Sequence, residues 1–214
     1  MSILEEMATV FKRKVLIFGH SQSRNLNDFV ASDVSKANFG MHLQDVEVRC
    51  EGYGGLKLKD LIDYQSGKFE TFDSVMNEFS PQLLVLLIAD NDINSDSSAM
   101  EITSLYSEVI SMIRNRYQFV KKIALTQLLP RHQNRWVDFD MYNSQCAMVN
   151  NKLLTLAQND PDLFFKHLNF SFPSENRNKF LKEIKYFRTD GVHLNHKGYY
   201  LMYKAVRHVL ISVK

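Results

Sequence analysis

The sequence predicts an α/β fold, a three-layer α/β/α sandwich around a central parallel sheet of five strands. Two observations carry this. Short strand-like runs alternate with helical periodicities from Val15 to the C-terminus, and such alternation builds parallel sheets through right-handed crossovers. The run Leu83-Leu84-Val85-Leu86-Leu87-Ile88 is apolar at every position, as suits a central strand covered on both faces.

The elements follow in order. Val15-Leu16-Ile17-Phe18 reads as the first buried strand, and Leu26, Phe29 and Val30 then recur at helical spacing. Residues 46–51 form the second strand, with a helix expected over 56–64. After the third strand, 83–88, Ser98 and Glu101 make a capping box ahead of the stripe Ile102, Leu105, Val109 and Met112. Residues 123–128 are the fourth strand, and Tyr142, Cys146, Val149, Leu153 and Leu156 mark the next helix. Residues 163–166 are the fifth strand. The stretch from Leu168 to Thr189 shows no clear period, and a last helix starts near Asn195 and buries Tyr199, Met202, Tyr203, Val206 and Leu210. At 214 residues, without internal repeat or low-complexity linker, one domain spanning 1–214 is expected.

Composition narrows the function classes. A net charge of +2 is too small to argue for nucleic acid, and the cluster Arg114, Arg116, Lys121, Lys122 reads as a solvated helix end and loop. Two cysteines, Cys50 in a strand and Cys146 on an apolar helix face, support neither a disulfide framework nor a zinc cluster. No run approaches 18 apolar residues, so no transmembrane segment is expected. Met1 to Arg13 carries Glu5 and Glu6 and no long apolar stretch, so no signal peptide is expected and the setting reads as intracellular, in the cytoplasm. Neither GxxxxGK[ST] nor GxGxxG is present, which argues against a nucleotide binder.

Chemistry gathers where the strands end. Ser21 lies at the step from the first strand into a helix, at the sheet edge where open α/β folds bind ligands. The second strand runs into Glu51-Gly52-Tyr53-Gly54-Gly55, whose glycines can present N–H groups, and the third into Ala89-Asp90-Asn91-Asp92, where an amide can donate into the same crevice. Asp190-Gly191-Val192-His193 precedes the last helix, and an Asp three residues ahead of a His can hold one imidazole nitrogen and aim the other at a hydroxyl. Taken singly, Ser21 reads first as a helix N-cap and the others as turn residues. Together they supply a nucleophile (Ser21), a base (His193), an orienting carboxylate (Asp190) and oxyanion donors from Ser21, Gly54 and Asn91, which is a complete acyl-transfer set.

These blocks, in this order, resemble those of the SGNH (GDSL-type) hydrolases, serine esterases with a flavodoxin-like fold. The matching stretches are Gly19-His20-Ser21, Gly54, Ala89-Asp90-Asn91-Asp92 and Asp190-Gly191-Val192-His193. The resemblance implies a serine esterase acting on short to medium acyl esters, lipid esters included, with no cofactor and no metal. Gly19-His20-Ser21 and Asp190 through Gly198 further resemble the esterase-type domains of animal LINE-type retrotransposons. His20 stands where the family usually has Asp, and Ala89 where it usually has Gly. These departures leave open an alternative, a catalytically impaired binding module associated with lipid or nucleic acid, although balanced charge argues against nucleic acid for this domain alone. His20 is a candidate to touch substrate. Phe170 and Phe172, in the aperiodic aromatic stretch, are candidates for an apolar wall along the acyl chain.

Overall fold

A computed structural model describes residues 12–132, 138–172, 175 and 177–213, so most of the N-terminal stretch read for a signal peptide lies outside the described residues. Five strands, β1 (Arg13–Gly19), β2 (Val46–Gly52), β3 (Leu83–Leu87), β4 (Lys122–Thr126) and β5 (Leu163–Lys166), form one sheet in the order β2-β1-β3-β4-β5. Every neighbouring pair is parallel. Helices α1 (Ser21–Ala31), α2 (Gly67–Phe79), α3 (Ala99–Arg116), α4 (Phe139–Gln158), α5 (Arg177–Glu183) and α6 (His196–Ser212) complete the three layers.

The two-residue period of a strand sends alternate side chains into two cores. Leu16, Phe18, Leu84 and Leu86 pack with the apolar faces of α2, α3 and α4. Val15, Ile17, Val85 and Leu87 pack with those of α1 and α6. The capping box stands as read, with the Glu101 N–H donating to Ser98 Oγ and the Ser98 N–H to Glu101 Oε2. Cys50 and Cys146 are buried and unpaired. Arg114 and Arg116, in the basic cluster, pair with Asp160 and Asp73.

Two readings of the chain need correction. The helix expected over 56–64 is only a short 3₁₀ turn, Leu58–Leu61. Asp60 accepts the Lys57 N–H and Asp92 accepts the Leu58 N–H, so side-chain carboxylates take donors at the start of the turn. The helix that follows β2 is α2, capped by Ser66 and burying Phe69, Phe72, Val75, Met76 and Phe79. The aperiodic stretch contains α5 and a 3₁₀ turn, and its aromatics serve opposite cores: Phe172 packs in that of α2–α4, Phe170 and Phe187 in that of α1 and α6. A segment that crosses the end of the sheet from one face to the other has no single period.

The sheet order positions the site. From β1 the chain steps to one side for β2 and to the other for β3, so the β1 and β3 carboxyl ends border the topological switch point. Gly19 allows the turn there. A Cβ on it would stand 1.9 Å from the Leu87 carbonyl oxygen, which the His20 N–H uses as acceptor at 3.1 Å. On the other side of the switch point Ala89 is buried at φ +88°, a conformation that costs a non-glycine residue roughly 1–3 kcal/mol.

Candidate active site

Ser21 opens α1, but it is not the cap. His20 is the N-cap residue, and its Nδ1 accepts the Gln22 N–H at 3.3 Å. This leaves the Ser21 hydroxyl free of capping, and Ser21 Oγ lies 3.0 Å from His193 Nε2. Ser23, two residues on, is fully buried, and among the described residues its hydroxyl has no hydrogen-bond partner.

The loop before α6 holds His193 by local geometry. Asp190 Oδ1 accepts the N–H groups of Val192 and His193, both at 2.9 Å, and Oδ2 stands 2.8 Å from His193 Nδ1. With a proton on Nδ1 facing the carboxylate, Nε2 is left as the acceptor toward Ser21. Partial burial alone would raise the Asp190 carboxyl, but these donors outweigh it and hold it down at about 2. The acid is therefore ionised throughout the neutral range, as an orienting group must be. Ser21, His193 and Asp190 come together across 172 residues of chain.

Gln22 locks the nucleophile helix to that loop, a link that the sequence did not disclose. Its Nε2 donates to the Val192 carbonyl at 3.1 Å, while its Oε1 accepts from the Tyr199 hydroxyl at 2.5 Å. Asn25 in turn donates to the Tyr199 hydroxyl. A strand-end serine followed by Gln, with a Tyr one turn into the last helix, is a signal that could be sought in sequence, but its meaning needs the packing of α1 on α6.

The crevice beside Ser21 encloses about 410 Å³. Gly54, Asn91, Arg24 and Arg131 line it together with the Ser–His pair. As the first residue of α1, Ser21 has an N–H with no intrahelical acceptor, and among the described residues the Gly54 N–H makes no backbone hydrogen bond. Asn91 is oriented from two sides: Nδ2 donates to the Leu56 carbonyl at 3.2 Å, and Oδ1 faces Arg131 Nη2 at 3.4 Å. One amide hydrogen of Asn91 remains beyond the bond to Leu56. Among the described residues no group of three or more His, Cys, Asp or Glu side chains could hold a metal ion.

His20 borders the crevice but is 97% buried, because its Nε2 meets Asp90 Oδ2 at 2.7 Å. Asp90 also accepts the Leu129 N–H at 3.1 Å and the Tyr142 hydroxyl at 3.3 Å. Burial pushes the Asp90 carboxyl up, yet His20, Arg131 and the Leu129 N–H together bring it below its ordinary value. The residue where the family usually has Asp is thus half of a buried imidazole–carboxylate pair that ties the ends of β1 and β3. Phe170 and Phe172 correct the expected acyl wall. Both are buried in the cores, and neither is among the crevice residues. Phe170 lies beneath the segment that carries the His193 loop, where Phe187 bridges Leu194 and packs on Phe170 at 6.2 Å.

Asp92 gives a pH-dependent stability. Burial raises its carboxyl to about 6, against the lowering effect of the Leu58 N–H that it accepts. The folded chain keeps this proton where the unfolded chain has lost it, so stability falls as pH climbs from about 4 through 6 and stays reduced above. Asp92→Asn keeps an acceptor for Leu58 and removes the charge. It is expected to unfold at higher urea than wild type at pH 8, by at most roughly 3 kcal/mol, with the gap closing toward pH 4.5. Equal gaps at both pH values would mean that Asp92 is not protonated in the fold.

Comparison with known proteins bears on this geometry. The GDSL-like Lipase/Acylhydrolase family matches residues 17–201. Among curated proteins no sequence matches this chain. Solved structures of similar shape include a GDSL-like lipase from Bacteroides thetaiotaomicron VPI-5482, with 15% identity and a TM-score of 0.66 over 94% of this chain and 89% of that one. A member of the lipolytic G-D-S-L family from Veillonella parvula DSM 2008 shares 14% identity with a TM-score of 0.66, over 94% and 99% of the two chains. A catalytic mutant of an acetylxylan esterase from Geobacillus stearothermophilus shares 15% identity with a TM-score of 0.64, over 92% and 93%. At such identities these likenesses bear on the fold alone.

Proposed function

The chain belongs to the GDSL-like lipase/acylhydrolase family and is a hydrolase of that family, and on this footing we propose that it is a serine esterase that cleaves carboxylic esters through an acyl-enzyme. The observation that carries the reading is the continuous line from Asp190 Oδ2 through His193 to Ser21 Oγ, with contacts of 2.8 and 3.0 Å. Ser21 Oγ attacks the ester carbonyl as its proton passes to His193 Nε2. Asp190 holds the Nδ1 proton and stabilises the imidazolium. The N–H groups of Ser21 and Gly54 and the remaining amide hydrogen of Asn91 receive the developing oxyanion. His193 then gives its proton to the departing alkoxide. Water, deprotonated by His193, attacks the acyl carbon. As the bond to Ser21 Oγ breaks, His193 returns the proton to that oxygen and the acid leaves.

Esters of short to medium acyl chains suit a crevice of this volume. Among the described residues no helix is long and apolar enough to cross a membrane. The stretches Gly19-His20-Ser21 and Asp190 through Gly198 also support the narrower kinship with retrotransposon esterase-type domains, on which the mechanism does not depend.

The direct test is reaction with a fluorophosphonate probe, followed by peptide mapping, beside hydrolysis of a p-nitrophenyl ester panel. One adduct, on Ser21, and turnover of acetyl to butyryl esters are expected. An adduct on Ser23 would reassign the nucleophile. No adduct and no turnover would favour the impaired binding module.

A further inference from the structure

We infer that the crevice selects esters bearing an anionic group, held by the guanidinium groups of Arg24 and Arg131; hydrolysis of such esters rests on the esterase reading above. Both arginines line the same crevice as Ser21 and His193. Arg24 stands one turn after Ser21 on α1, on the β2 side, and its Nη1 would be 3.7 Å from a Cβ on Gly54. Arg131 follows β4, on the other side of the switch point. Its Nη2 donates to the Asp90 carbonyl at 3.1 Å and reaches Asn91 Oδ1 at 3.4 Å, and its guanidinium lies 4.4 Å from the centroid of the Tyr142 ring. Two cations thus flank the place where Ser21 presents its hydroxyl.

What makes them a site is that, among the described residues, neither is engaged in a direct ion pair, although the charge of Arg131 is felt by the buried Asp90. Arg49, Arg114 and Arg116 each form an ion pair with a carboxylate, whereas among the described residues neither Arg24 nor Arg131 does. The two carboxylates of the crevice have hydrogen-bond partners of their own. Asp190 accepts from its loop N–H groups and faces His193, and Asp90 faces His20 and accepts from Leu129 and Tyr142. Arg131 is also held in place by its bonds and by the ring beneath it, so little side-chain freedom remains to be lost on binding. A planar guanidinium so placed matches a carboxylate or phosphate through paired N–H donors. Neutral esters offer neither guanidinium an anionic partner.

The test uses matched pairs of soluble esters, each corrected for spontaneous hydrolysis. Phenyl acetate against 4-acetoxybenzoate places the charge on the leaving group, and 4-nitrophenyl butyrate against mono-4-nitrophenyl succinate places it on the acyl end. In at least one pair kcat/KM is expected to favour the anion by about tenfold, an advantage that shrinks as salt rises to 0.5 M. The anion-to-neutral ratio should collapse in Arg24→Gln and in Arg131→Gln and survive in part in Arg24→Lys. No preference for the anion in either pair overturns the inference. So does an equal loss on both members of a pair in the Gln variants, which would assign the guanidiniums to the oxyanion instead. Failure of the wild type to hydrolyse any of the four would sink the esterase reading, and binding of the intact esters to Ser21→Ala then decides the inference by itself. Tighter binding of an anionic member upholds it, and equal binding overturns it.

Discussion

Ser21→Ala is expected to lower kcat on p-nitrophenyl acetate by roughly 10⁴-fold or more while the protein remains folded, since a nucleophile, base and orienting acid act as one unit. Among the described residues the side chain makes one hydrogen bond, to His193, so its removal creates no cavity in the core and leaves no buried donor unpaired. Because the three groups act together, Ser21→Ala/His193→Ala should be little worse than either single change. Asp190→Asn should cost on the order of 10²–10⁴ in kcat, because the amide can turn an N–H toward Nδ1 and hold the wrong tautomer. Asp190 itself keeps its orienting charge as the pH is lowered, because its carboxyl is held at about 2. Steady-state kinetics with circular dichroism on the same samples checks all of this. Full activity in a folded Ser21→Ala protein would remove the acyl-enzyme mechanism.

His20→Ala should be the most destabilising single change near the site, by about 3–5 kcal/mol at pH 7, because it leaves a buried charge without its partner. Asp90 would keep the Leu129 N–H and the Tyr142 hydroxyl but lose the 2.7 Å contact to Nε2, and α1 would lose its cap on the Gln22 N–H. The pH dependence has a definite sign. In the wild type the lowered Asp90 carboxyl contributes stability above its unfolded pKa, and this is lost as pH falls through the folded value. In the variant desolvation is no longer outweighed, the carboxyl rises, and its charge becomes a cost at neutral pH. The deficit should therefore shrink as pH is lowered toward 4. His20→Asn separates the two contributions, since Asn caps a helix well but is too short to replace the imidazole at Asp90, so it should recover about 1 kcal/mol only. His20→Asp, although it restores the family's usual residue, would set two carboxylates against each other across β1 and β3. Urea unfolding across pH 4.5–8 reads each case. A His20→Ala protein as stable as wild type at pH 7 would show that Asp90 is satisfied without the imidazole.

The strands, the capping box and the gathering of Ser21, Gly54, Asn91 and the Asp190–His193 loop at one sheet edge were legible in the sequence, because each follows from local pattern: apolar runs, strand-to-helix turns and an Asp three residues before a His. The Asp190–His193 contact is within reach for the same reason, since four residues of loop complete it. The sequence also marked His20 and Ala89 as departures without saying what they do. That depended on partners far along the chain. His20 acquires its meaning from Asp90, 70 residues away, and Gln22 from Val192 and Tyr199, more than 160 residues away. Phe170 and Phe172 misled for a related reason. Aromatic residues without a period can wall a crevice or serve two cores in turn, and only the path of the backbone across the sheet's end decides between these. Arg24 and Arg131 look like ordinary surface cations in one dimension. The sheet order β2-β1-β3-β4 sets them on either side of Ser21, and no local rule of sequence determines which cations form no ion pair among the described residues once the chain has folded.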